Sequence, residues 1–115
     1  DDWVMAERAK LRAEAYGALV RLTDEAAGRD DHEATIRHAQ SIIDLEPTDE
    51  AAVRIQMEAH LARGDRGAAL RSYHRYAEVL ERDLALEPGQ AIGAIYRQLR
   101  ANTPNREALH GAPSN

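Results

Sequence analysis

The feature that most constrains this chain is an internal offset of 34 residues. Asp31 and Asp65, Ala34 and Ala68, and the pairs Thr35-Ile36 and Ala69-Leu70 all stand 34 apart. A second repeated run, Leu45-Glu46-Pro47 and Leu86-Glu87-Pro88, lies 41 apart. The seven extra residues amount to about two helical turns, so the segment before Pro88 reads as a longer version of the one before Pro47. Periods in this range belong to chains that stack one small unit on the next, each covering a face its neighbour leaves open.

Between the marks of turn chemistry the apolar residues recur at helical spacing. Those marks are Gly28 to Asp31, Pro47 to Asp49, Gly64 to Gly67, and Pro88-Gly89. The pattern predicts five helices, over 2–27, 32–45, 49–63, 67–84 and 90–100. The first carries a stripe of Val4, Leu11, Ala15, Ala18, Leu22 and Ala26; the second has Ile36, Ala39, Ile42 and Ile43. The fourth shows Leu70, Tyr73, Ala77, Leu80 and Leu84, and the fifth Ile92, Ile95, Tyr96 and Leu99. The third differs. It has one stripe at Val53, Met57 and Leu61 and another at Ala52, Ile55, Ala59 and Ala62, as a helix covered on two sides would.

The expected caps fit this division. Asp30 with Glu33 three residues on forms a capping-box pattern, and Asp65 caps the fourth helix. Pro47 and Pro88 stop the helices before them, and Gly64 stands where a left-handed C-terminal cap is wanted. Residues 102–115 have no apolar stripe and are expected to form a disordered tail behind a domain at 1–101.

A helix–turn–helix period of 34 residues resembles the tetratricopeptide repeat. Gly64-Asp65, then Ala69-Leu70 and Tyr73, match the second half of such a repeat, and Pro47 precedes Gly64 at the spacing that joins one repeat to the next. Two positions depart from the pattern: Thr35 replaces the usual small Ala, and Asp30 occupies the first repeat's glycine position. The expected fold is all-α, a tetratricopeptide-like right-handed stack of about five antiparallel helices; an unrelated helical bundle is the alternative. Composition agrees. Of 115 residues 22 are Ala and none is Phe, which suits helices packed closely on small side chains better than a β-sandwich.

Composition also narrows function. A net charge of −5 argues against direct nucleic-acid binding by this domain, which needs a basic face, and against an anionic membrane surface. The absence of Cys excludes disulfides, thiolate metal sites and thiol nucleophiles. No apolar run approaches the ~20 residues of a membrane span. No charged-then-apolar pattern opens the chain, so no secretory leader is expected. Its start at Asp1 rather than Met leads us to expect a piece of a longer protein.

The chain's reactive residue types have structural explanations. His32, His38, His60, His74 and His110 include no pair at i,i+4 spacing, and no metal site is expected of them. Acidic pairs such as Asp30-Asp31 and Asp49-Glu50 sit at helix starts, where a carboxylate stabilises the terminus by ~0.3–1 kcal/mol. Ser41 and Ser72 stand in no nucleophile arrangement and no glycine loop cradles a phosphate. Neither an enzyme nor a bound cofactor is expected.

The chain resembles one family along most of its length. Trp3-Val4-Met5-Ala6-Glu7-Arg8, then Leu11-Arg12 and Tyr16, is similar to the opening of the bacterial transcriptional activator domain. Leu45-Glu46-Pro47-Thr48-Asp49-Glu50 is similar to its LDPxDE junction, and Arg54 to His60 resembles its RxLMxA helix, closing at Gly64-Asp65. Ala69-Leu70-Arg71-Ser72-Tyr73 continues it. Leu84 to Pro88 and Ile95-Tyr96-Arg97-Gln98-Leu99 resemble its LGxEP and LYRxL stretches. One departure is Ala85, where the family usually has Gly, leaving open whether the helix continues past it.

The resemblance implies a cytoplasmic, tetratricopeptide-like module of a bacterial transcription regulator. Such modules act by contact with protein: RNA polymerase, a second protomer, or the regulator's own DNA-binding domain. A homo-oligomer is thus among the expectations. The alternatives are a sensor module packed on an NTPase or DNA-binding domain of the same chain, and a peptide-binding adaptor outside transcription.

Tetratricopeptide stacks bind peptides along the face formed by the first helix of each pair. The alignment assigns Arg54, Glu58, Leu61 and Ala62 of the third helix to that face. Stacks that grip a C-terminal carboxylate need Lys and Asn where this chain has Arg54 and Glu58, which argues against that ligand. The plainer reading pairs Arg54 with Glu58 at i,i+4. Arg71, Arg75 and Arg82 fall near one face of the fourth helix, and Arg8 and Arg12 on one face of the first. They mark either a patch for a partner or a solvated face with pairs such as Arg71 and Arg75 to Glu78. Arg54, Glu58, Leu61, Arg71 and Arg75 are the candidate partner-binding residues.

Overall fold

The computed structural model describes residues 1–102. Five helices follow one another: α1 (Asp2–Gly28), α2 (His32–Leu45), α3 (Glu50–Ala62), α4 (Arg66–Leu84) and α5 (Gln90–Ala101). Each packs on the next in sequence, and the described residues contain no strand. The result is an all-α, tetratricopeptide-like stack. The tail expected at 102–115 lies, from residue 103 on, outside the described residues.

Aspartates start four of the five helices. The carboxylates of Asp31, Asp49 and Asp65 accept from the backbone N–H groups of Ala34, Ala52 and Ala68 at 3.1, 3.0 and 3.0 Å, and Asp1 accepts from Trp3 at 3.0 Å. Each such cap is worth about 1 kcal/mol. The cap of α2 is therefore Asp31, not Asp30 as the capping-box pattern predicts. Asp30 instead does what Gly64 does one repeat later. Its φ is 56°, its N–H donates to Ala27, and the next N–H, of Asp31, reaches back to Ala26. Gly64, at φ 76°, donates to Leu61 while Asp65 reaches His60. Both are Schellman closures, 34 residues apart, and Asp is among the few side chains that tolerate the left-handed backbone.

The helix before Pro88 does not run on. Ala85 takes the left-handed conformation at φ 53°, and α4 ends at Leu84. A non-glycine residue there carries a strain of roughly 1 kcal/mol.

The core gathers Val53 and Met57 of α3, Ala69, Tyr76 and Leu80 of α4, and Ile92 and Leu99 of α5. The predicted two-sided covering of α3 is present: Val53 and Met57 face this core, while Ala52 and Ala59 are also buried. Ala62 is exposed, so the second stripe ends at Ala59. Ala26, Ala39 and Ala69 are fully buried, and small side chains at these points let neighbouring helices approach closely.

Helix α1 packs on a face rotated from its predicted apolar stripe, and of that stripe it fully buries Ala26 alone. Its buried residues are Thr23 and Ala26, with Tyr16 half-buried beside them. Leu11 and Leu22 remain 60% and 43% exposed. Length accounts for part of this. At 1.5 Å per residue the 27 residues of α1 reach about 40 Å, whereas the 14 of α2 reach about 21 Å, so α2 covers only the C-terminal half.

Candidate interaction surfaces

Between α2 and α4 the stack opens a groove of about 350 Å³ whose floor is α3. Ile43, Pro47 and Val79 give it apolar walls, over Val53 and Tyr76, which are buried in the core beneath. A polar ladder crosses the floor: Ser72 Oγ donates to Gln56 Oε1 at 2.9 Å, and Gln56 Nε2 donates to Gln40 Oε1 at 3.0 Å and to the Ile36 carbonyl at 3.3 Å. Gln56 and Ser72 are 2% and 3% exposed, so their polarity is affordable only because these bonds satisfy it. Asp44 and Arg75 stand among the lining residues with opposite charges. Burial holds the His60 imidazole below its ordinary pKa; Asp65 opposes this, and the nearby Arg63, Arg71 and Arg75 add to it.

The five predicted partner-binding residues do not converge on one surface. Arg75 lines the α2–α4 groove. Arg71 is exposed, with its guanidinium folded back towards Gly67, where an added Cβ would lie 3.1 Å from Nη1. The predicted pairs of Arg71 and Arg75 with Glu78 do not form among the described residues; the ion pair on α4 is Arg82–Asp83 at 3.0 Å. Arg54 and Glu58 each lie two residues from Gln56, about 160° around α3 from the groove floor. They pair with each other at 3.0 Å. Leu61 is half-buried against the core, so little of it remains for a partner. Glu58 also edges a smaller recess, of about 180 Å³, beside Ala27, His32 and Thr35.

Sequence reasoning missed the junction at Leu45–Glu50. Arg12 of α1 donates to Glu46 Oε1 at 3.0 Å and to the Leu45 carbonyl. Tyr16 Oη donates to Asp49 Oδ2 at 2.5 Å, while Asp49 Oδ1 caps α3. Glu50 Oε1 accepts from Tyr76 Oη at 2.7 Å and from the Gly89 N–H at 2.9 Å. One loop thereby ties α1, α3, α4 and the start of α5. The bond to Asp49, then burial, raises the Tyr16 pKa; burial, then the bond to Glu50, raises that of Tyr76. Helix α5 is further held by Tyr96, stacked on Tyr73 with ring centres 4.2 Å apart, and by Arg66 Nη2 donating to the Leu99 carbonyl at 2.5 Å. The acidic run Asp49-Glu50 thus does more than begin a helix. The available signal was Tyr16, one repeat length before it.

Among the described residues no group of three His, Cys, Asp or Glu side chains is arranged to hold a metal ion. No helix among them is long and apolar enough to cross a membrane.

Comparison with family models matches residues 1–100 to the bacterial transcriptional activator domain. Searches of curated proteins and of solved structures gave no match. The chain belongs to the bacterial transcriptional activator domain family, and is a transcription-activator-related helical domain.

Proposed function

From that membership we propose that the chain is the non-catalytic, cytoplasmic protein-docking module of a bacterial transcription regulator, and that its partner is RNA polymerase. The observation that carries this reading is the α2–α4 groove: apolar walls, an internally satisfied polar floor, and Arg75 and Asp44 along its lining. A surface of that kind suits association. The apolar walls offer burial, the satisfied floor adds no unpaired polar group, and the charges set orientation. The junction at Leu45–Glu50 supports it by holding the helices beside the groove in fixed relation, so binding orders little that is not ordered already.

The test joins the chain to an unrelated DNA-reading domain upstream of a reporter gene. The fusion activates the reporter, and Val79→Asp, which puts a charge on the groove wall, abolishes activation without changing helicity or protein level. Arg54→Ala with Glu58→Ala leaves activation unchanged, because that pair faces away from the groove. Activation lost in the Arg54–Glu58 variant and kept in Val79→Asp would move the site to the opposite face.

A further inference from the structure

The two lips of the α2–α4 groove carry different charge. Counting about 100° per residue round α4 from Ser72 on the floor, Val79, Arg75 and Arg71 follow one another outward at about 20°, 60° and 100°. On α3 the floor continues past Gln56 to His60 and Arg63, both within about 40° of its line. The Arg71 guanidinium folds back towards Gly67, and so towards that end of α3. The charges around the His60 imidazole are accordingly Arg63, Arg71 and Arg75, against Asp65 alone.

The three arginines are exposed, and among the described residues none of them has an ion pair. The nearest acids are already engaged. Asp65 Oδ1 accepts from the Ala68 N–H at 3.0 Å, and Asp44, on the opposite lip, accepts from Gln40 Nε2 at 2.9 Å. Glu78 lies further round α4 than Arg71, about 120° from Ser72, and on α2 Glu33 and Arg37 offset each other. On a chain of net charge −5, the α4 lip is thus a local excess of unpaired positive charge beside an apolar wall. Such a lip attracts and orients an occupant of the opposite sign.

Spacing narrows the occupant further. Arg71 and Arg75 stand about 6 Å apart along α4, close to the ~6.6 Å between alternate residues of an extended chain. A segment with acidic residues at alternate positions meets both arginines, and turns the residue between them across the groove towards Ile43 and Pro47. A nucleic acid would offer phosphates to the arginines but nothing to the apolar wall, and the net charge of the chain repels it.

We propose that Arg63, Arg71 and Arg75 form a carboxylate-binding lip, and that the segment docking in the groove is acidic with an apolar side chain between its carboxylates. This rests on the docking reading and names the chemistry that the site receives. The probe is a blocked heptapeptide, Ser-Asp-Glu-Leu-Glu-Asp-Ser, titrated into the nitrogen-15-labelled 115-residue chain. It shifts the side-chain amide signals of Gln40 and Gln56 saturably. Its counterpart with Lys in place of every acid does not. Arg71→Gln and Arg75→Gln each weaken the acidic peptide by about threefold, and together by about tenfold, while Asp44→Asn tightens it by about twofold. Circular dichroism of these variants matches the native chain, because all three positions are exposed.

Equal or tighter binding of the Lys peptide, or acidic-peptide binding indifferent to the double arginine variant, overturns the proposal. A duplex DNA of random sequence that binds more tightly than the acidic peptide, and is lost in the double variant, gives the lip to nucleic acid and also overturns it. Measuring RNA polymerase holoenzyme with the same variants separates the two readings. If the acidic peptide behaves as described and holoenzyme does not bind, the polymerase reading fails and the acidic lip stands. If holoenzyme binding is lost in Val79→Asp but unchanged in the double arginine variant, docking stands and the acidic lip is refuted.

Discussion

Replacing Gly89 by Ala is expected to destabilise the native chain and to stabilise a chain that lacks Glu50. Gly89 has φ −68° and ψ 171°, a conformation open to any residue. Stiffening the unfolded chain there would alone add about 0.4–1 kcal/mol. In the native chain, however, the new Cβ would lie 2.5 Å from Glu50 Oε2 and 3.3 Å from its Cδ. The carboxylate cannot move aside freely, because its Oε1 accepts from Tyr76 at 2.7 Å and from the Gly89 N–H at 2.9 Å. Bonds to a charged group contribute about 1.5–3 kcal/mol each, and loosening them outweighs the entropic gain, for a net loss of about 1–2 kcal/mol. Glu50→Ala removes both bonds and leaves the buried Tyr76 hydroxyl without this acceptor, a loss of about 2–4 kcal/mol. With the obstacle gone, Gly89→Ala should then raise stability by about 0.4–1 kcal/mol. Urea unfolding followed by circular dichroism measures all four corners of this cycle. Equal effects of Gly89→Ala in the two backgrounds, within about 0.5 kcal/mol, would refute the account of Glu50 as the tie between α3 and α5.

Other predictions concern the turns and the titratable groups. Ala85→Gly should stabilise the chain by about 0.5–1 kcal/mol in the same assay, because the left-handed backbone at φ 53° strains Ala and not Gly. Tyr16 and Tyr76 have pKa values raised above 10 in the folded state, so their contribution is complete below about pH 10 and is lost as pH rises through the folded values. Tyr76→Phe should blunt that alkaline loss in pH-dependent melting. His60 has the opposite sense. Its folded pKa lies below 6.5, so the unfolded chain binds the proton first, and stability declines as pH falls through about 6.5 and below. His60→Gln should flatten that acid-side slope, and an unchanged slope would exclude His60 as its source.

The repeat made much of the fold legible. The 34-residue offset located the turns at Asp30 and Gly64, because the same closure recurs wherever one helix pair meets the next. The two stripes of α3 foretold a helix covered on both sides. The packed face of α1 was not legible, because its contacts with the next loop are polar: Arg12 and Tyr16 bind Leu45, Glu46 and Asp49, and apolar periodicity is blind to such bonds. The groove escaped for a related reason. Its floor residues Gln40, Gln56 and Ser72 come from three helices, and no sequence spacing relates them until the helices are stacked. The candidate residues were chosen by helix face, which says nothing of the angle between the helices that carry Arg54 and Arg75.

The central claim is that this domain docks on RNA polymerase through the α2–α4 groove. The most direct measurement is the binding isotherm of the 115-residue chain with purified holoenzyme at two salt concentrations, for the native sequence and for Val79→Asp. The account predicts saturable binding that weakens modestly with salt, since the groove walls are mainly apolar, and that Val79→Asp abolishes. Saturable binding by Val79→Asp equal to that of the native chain, or no binding by either, would contradict it.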